Sequence, residues 1–194
     1  MFQKGEVKKS LIGCFEIFLL MRVGASRFGT TYDEAIRSFI IPGFLFPLSF
    51  FMVYFFPIPD MGSVSENTII MLYSMRIAFS WVIYFGIVQW VLKRVDRTEN
   101  FYRFVTATNW LTIPATVIYL PVLLGVMSGA YSVDQLYAFT MFLTAYTYVF
   151  TAFMAVHVLI IPWEMAGFIV FLAIAIDDMT LTFMEWIGRA VGSA

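Results

Sequence analysis

Two adjacent carboxylates, Asp177 and Asp178, stand inside the apolar stretch from Trp163 to Gly188, and one arginine, Arg76, stands deep in another apolar run. Charges in such surroundings pair with each other, line water, or serve a reaction. Asp177-Asp178 is followed by Met179, Thr180 and Leu181, which leaves a metal-binding DDxxD incomplete. Ile174-Ala175-Ile176 before it lacks the glycines of a GxGD intramembrane protease. The chain has no HExxH, GxSxG or phosphate-cradling loop. A single cysteine (Cys14) and a single histidine (His157) supply neither a disulfide nor a Cys/His metal site. No catalytic residue, metal or cofactor is assigned, and the expected chemistry is an ion pair between Arg76 and one of the aspartates. Consecutive helical residues point about 100° apart, so one carboxylate is expected to face Arg76 while the other turns toward the interface.

A second polar feature is the series Thr140, Thr144, Thr147 and Thr151, which places four hydroxyls along one helix face. Small residues let helices approach and threonine can bond its own i−4 carbonyl, so packing is the expected role, with a solute path as the alternative.

The elements that carry these residues are apolar helices. The 194 residues are 61% hydrophobic and 13% charged, about half the charge of a soluble domain. The spacing predicts an all-α, polytopic transmembrane bundle of five spans, over 38–56, 68–92, 104–127, 135–160 and 163–183. An amphipathic interfacial helix precedes it: Val7, Leu11, Cys14, Phe15, Phe18 and Met21 recur at helical spacing, and Lys4, Lys9, Glu16 and Arg22 interrupt any run long enough to cross. Lys4, Lys8, Lys9, Phe15, Phe18 and Arg22 are its candidate contacts with lipid or a partner. Residues 1–37 form this cytoplasmic segment and 38–194 the membrane domain, with no soluble appendage. The run Leu11 to Met21 contains Glu16 and no cleavage site follows it, so the amino terminus is expected to be retained.

Between these parts, Gly24 to Arg37 reads as a polar connector in which Thr31 and Glu34 form a capping box. Pro42 and Pro47 are expected to kink the first span, and Pro57, Pro59 and Asp60 to end it. Gly125 and Gly129 stand at small-xxx-small spacing, and the last span is expected to leave the hydrocarbon near Thr182, giving way to an interfacial tail where Glu185 and Arg189 pair.

All basic residues but Arg76 and Arg189 fall before the first span or in the loop from Lys93 to Arg103. The positive-inside rule puts both on the cytoplasmic side and the carboxyl terminus on the other. Arg76 then lies about 12 Å below the outer boundary and the aspartates within about 8 Å of it, close enough to pair.

The stretch Thr108-Asn109-Trp110-Leu111-Thr112-Ile113-Pro114 resembles the third-span pattern of the Yip1-like membrane protein family, an aromatic followed four residues later by proline. Asn109 replaces that family's glycine before the aromatic, and the DLxGP motif of its eukaryotic members is missing. The segment Phe28 to Pro42, with Tyr32, Arg37, Ser38 and Phe39, looks closer to bacterial membrane proteins of this type. The resemblance implies a non-enzymatic scaffold or adaptor, multi-pass in the bacterial inner membrane, contacting lipids and other membrane proteins or itself, and no nucleic acid. The alternative is a small oligomeric transporter or channel built on the Arg76, Asp177 and Asp178 cluster.

Overall fold

The computed structural model describes residues 2–55 and 64–192, and these are all-helical. The helices are α1 (Glu6–Phe18), α2 (Tyr32–Ser38), α3 (Ile40–Phe55), α4 (Glu66–Arg94), α5 (Phe101–Met127), α6 (Val133–Leu159) and α7 (Trp163–Gly192). Short 3-10 turns occupy Arg22–Arg27 and Thr98–Asn100. Helices α4 to α7 are each long and apolar enough to cross a bilayer. They form a chain of antiparallel neighbours in which α4 packs on α7, α7 on α6 and α6 on α5, while α3 lies against α5.

The expected first span is described as far as Phe55. Its helix, α3, has 16 residues, and the expected run 38–56 is broken at Phe39. Pro42 accounts for the break, because it has no N–H to offer the carbonyl of Ser38 and its ring would crowd that group. The backbone therefore closes α2 with a tight bond from the Phe39 N–H to the Ile36 carbonyl at 3.2 Å and restarts. The expected stop at Pro57, Pro59 and Asp60 lies outside the described residues.

Helix ends follow local chemistry. Thr31 accepts from the Glu34 N–H while the Glu34 carboxylate accepts from the Thr31 N–H, a complete capping box. Burial of Glu34 would raise its pKa, but the hydrogen bonds from Thr31 and Thr30 outweigh it and hold the carboxyl below its usual range. A second box, Ser132 with Gln135, starts α6 two residues before the expected 135. Ile160, in the left-handed region at φ 57°, ends that helix just ahead of Pro162. Of the two expected packing glycines, Gly125 faces α6, where an added Cβ would meet Leu136 Cδ1 at 3.6 Å. Gly129 ends α5 at φ 70° with open space around it, and Gly125 abuts the Tyr131 ring of its own loop. Beyond Thr182 α7 continues to Gly192, and Glu185 and Arg189 stand 3.7 Å apart on its surface as expected.

The polar connector Gly24 to Arg37 is not a free linker. The Arg22–Arg27 turn folds back on α1 so closely that a Cβ on Gly24 would stand 2.7 Å from the Gly13 carbonyl oxygen. Ion pairs close the two ends of this unit, Arg27 to Glu16 at 2.5 Å and Arg37 to Glu6 at 3.2 Å. The Arg27 guanidinium holds the Glu16 carboxyl below the usual carboxylate range. The folded segment then packs on α5 and α6. Ile17 and Phe28 join Val88, Leu92, Phe104, Trp110, Met154 and Ile169 in one core. Buried positions of α5 concentrate between Phe104 and Leu111, and those of α6 between Phe150 and Leu159, so the tight core sits at the end that carries the N-terminal segment.

Candidate functional site

The sequence brings Arg76 and Asp177 to the seam between α4 and α7. Both helices are uninterrupted by proline there, so their faces stay in register over several turns. Leu72 and Met184 are buried against each other's neighbours at one end of the seam, and the Ser80 and Thr180 hydroxyls stand 2.9 Å apart beside the charges. Arg76 donates from Nη2 to the Asp177 carboxylate and also approaches the Asp177 carbonyl oxygen at 3.4 Å. Its guanidinium carbon lies 5.2 Å from the Tyr73 ring centroid, a cation–π contact. Asp178 makes no hydrogen bond among the described residues and is exposed on the outer face of α7.

The two halves of the ion pair differ sharply in environment. The Arg76 side chain is 7% exposed and that of Asp177 67%. Arg76 Nε is buried without a partner, so the arginine is tied down at one corner only. A guanidinium inside the seam is thus met by a carboxylate at the rim, whose remaining surface, together with all of Asp178, points away from the bundle.

The threonine hydroxyls bond mostly within their own helix. Thr144, Thr147 and Thr151 donate to the carbonyls of Thr140, Leu143 and Thr147 at 2.7–2.9 Å, which spends their protons within α6. Thr144 also meets the Tyr119 hydroxyl at 2.6 Å, joining α6 to α5. Thr140 borders a cavity of about 250 Å³ between α5 and α6. A second cavity of about 380 Å³ lies among α3, α4 and α5, next to Trp81, Thr116 and Tyr119. Neither cavity is lined by Arg76, Asp177 or Asp178.

Lys8, Lys9 and Phe15 on α1, Lys4 before it and Arg22 after it are exposed. Phe18 departs from the expected contact set: its ring packs inward on Tyr146 and Phe150 at 5.3 and 5.8 Å, and its carbonyl accepts from the Tyr146 hydroxyl at 2.5 Å. Cys14 is buried on the same inward side, where desolvation pushes its thiol up to about 12.

One joint escaped the reading of the sequence. Asn109, 2% exposed, donates from Nδ2 to Ser38 Oγ at 2.8 Å, and Ser38 Oγ donates to the Ala35 carbonyl at 2.6 Å. The stretches 28–42 and 108–114 are therefore bonded to each other in the core. The uncommon signal was an asparagine in an apolar run, which needs a buried partner.

Among the described residues the protein is thus all-helical with four helices of membrane-crossing length and apolarity, two of them joined at their seam by an arginine–aspartate pair. Comparison with protein-family profiles, curated proteins and solved structures returned no match.

Proposed function

We propose that the protein is a non-enzymatic membrane scaffold or assembly subunit, Yip1-like in type, that docks another membrane helix on the outer face of α7. The carrying observation is the exposure of Asp177 and Asp178 on that face. Trp163 and Trp186, both exposed, are separated by about 35 Å of helix, the spacing of two interfacial belts around a hydrocarbon layer of about 30 Å. Asp178 lies about 12 Å inside the second belt by the same rise. A charged side chain at the centre of a span costs about 2.5–3.5 kcal/mol on insertion scales, and less nearer the interface. A partner helix offering a cation or hydrogen-bond donors at that depth removes the cost.

The topology we attach to this reading has five crossings, the first beginning with α3, whose described part extends about 24 Å. The basic N-terminal segment and the loop from Lys93 to Arg103 lie on the cytoplasmic side of a bacterial inner membrane, and α7 ends on the opposite side. The transporter or channel reading is second, because neither cavity reaches the charge cluster.

The test is a photo-crosslinking amino acid placed at Met179 or, as a control of equal exposure on α4, at Val82, which are 70% and 71% exposed. In native membranes position 179 is expected to give a defined protein adduct that disappears when Asp178→Leu is added, whereas position 82 gives none. Lipid adducts alone from both positions, or a protein adduct indifferent to Asp178→Leu, would refute the docking role.

A further inference from the structure

Helix α1 has two apolar sides. Ser10, Gly13, Cys14 and Ile17 are buried against the bundle. On the other side Leu11, Ile12, Phe15, Leu19 and Met21 are exposed, Phe15 by 63%. A soluble cap on a membrane bundle has no reason to present that second side.

Its contacts give its attitude. Phe2, just before the helix, packs on Trp110 at 5.6 Å, and Trp110 is about 14 Å along α5 from its start at Phe101. Phe18, at the other end, packs on Phe150 and Tyr146, which are about 14 and 20 Å from the end of α6 at Leu159. Those two helix ends lie on the same side of the bundle, so α1 runs across α5 and α6 and its Phe18 end is the deeper. Helices of 27 residues extend about 40 Å against a hydrocarbon layer of about 30 Å, which puts the aromatic contacts of the crossing helix about 9–15 Å inside the layer, so its lysines reach the headgroups by extending their side chains outward.

The charges follow the same gradient. Lys4, Lys8 and Lys9 are exposed at the shallow end, Leu11, Ile12, Phe15 and Leu19 are exposed toward the deep end, and the exposed Arg22 follows where the chain turns back toward His157 near the end of α6. Both carboxylates of α1 are already held by arginines of the following segment, Glu6 by Arg37 and Glu16 by Arg27. The lysines therefore have no acidic partner among the described residues and present an uncompensated positive patch beside an apolar one.

We infer that α1 is a docking surface for anionic lipid, with Lys4, Lys8 and Lys9 on the headgroups of the adjoining leaflet and the Phe15–Leu19 end among the acyl chains. This rests on the membrane-spanning reading above but is independent of what docks on α7. Each lysine near an anionic leaflet contributes about fivefold in binding, so the three together are worth on the order of 100-fold, reduced by salt.

The experiment is amide hydrogen exchange of the full chain in nanodiscs of phosphatidylcholine alone and of phosphatidylcholine mixed with phosphatidylglycerol. Amides of residues 6–20 are expected to exchange at least about tenfold more slowly in the anionic discs. The triple variant Lys4→Gln, Lys8→Gln, Lys9→Gln is expected to lose that difference while α5 and α6 stay protected in both discs. Equal exchange of 6–20 in the two lipids, or a triple variant that keeps the difference, overturns the inference and leaves the membrane reading standing. The second result would assign the anionic-lipid effect to another basic residue of the segment such as the exposed Arg22. Free exchange throughout α5 and α6 would overturn both.

Discussion

Asp177→Leu is expected to destabilise the detergent-solubilised protein by about 3 kcal/mol, at the low end of what breaking a buried ion pair costs because Asp177 itself is largely exposed. For a chain of this size that is about 6–12 °C in Tm. The loss comes from the arginine left behind. Arg76 is buried, its Nε is already without a partner, and removing Asp177 leaves the guanidinium with only a long contact to a backbone carbonyl and the Tyr73 ring. Arg76→Met, which removes the buried charge and leaves a carboxylate already at the rim, is expected to cost about 1 kcal/mol. The double variant should resemble Arg76→Met rather than the sum of the two. Thermal unfolding of the three variants decides this: equal, additive losses would mean that the two residues do not act as a pair.

Gly24→Ala is expected to be the most damaging single methyl group in the described chain. The new Cβ would lie 2.7 Å from the Gly13 carbonyl oxygen and 2.9 Å from the Ile17 backbone nitrogen, and backbone cannot swing aside as a side chain can. Overpacking of this kind costs about 1–3 kcal/mol, and we expect the upper end. The effect should be local to the contact between α1 and the Arg22–Arg27 turn, and Cys14 reports on it. That thiol is the only one in the chain, is buried, and is pushed up to about 12 by burial, so it should label very slowly with maleimide at neutral pH. Gly24→Ala should raise the labelling rate at least about tenfold, the ratio that 1.4 kcal/mol of local opening gives. An unchanged rate together with an unchanged Tm would show that the two segments do not touch.

Features that depend on neighbouring residues were legible in the sequence. The Thr31–Glu34 box needs only two side chains at the right spacing, and the existence of α4 to α7 needs only long apolar runs between polar breaks. Features that depend on distant residues were not. Glu16 and Arg22 look like interruptions of an amphipathic helix, but Glu16 has a specific partner in Arg27, which only the fold-back of the connector brings near. Phe18 shares a helical stripe with Phe15 by spacing, yet it faces Tyr146 and Phe150 while Phe15 faces out, because α1 is apolar on both sides and periodicity cannot say which side meets the bundle. Pro42 signals a kink, and its full consequence is a separate helix, α2, whose Ser38 is held by Asn109 from α5.

At the charge site, depth counted from helix ends brought Arg76 and Asp177 to a common level, and they do meet. The count carried no information on exposure. That Arg76 would be inside and Asp177 at the rim follows from how α4 and α7 are rotated about their axes, along a seam that also buries Leu72 and Met184.

Everything proposed for the α7 face and for α1 assumes that the chain is threaded through a bilayer with its basic loops on one side. The most direct measurement is a set of reporter fusions, active only outside the cytoplasm, placed after Arg97, after Gly129 and after Gly192. An inactive reporter at Arg97 and active reporters at Gly129 and Gly192 are the expected pattern. Reporters at Arg97 and Gly192 behaving alike would contradict it.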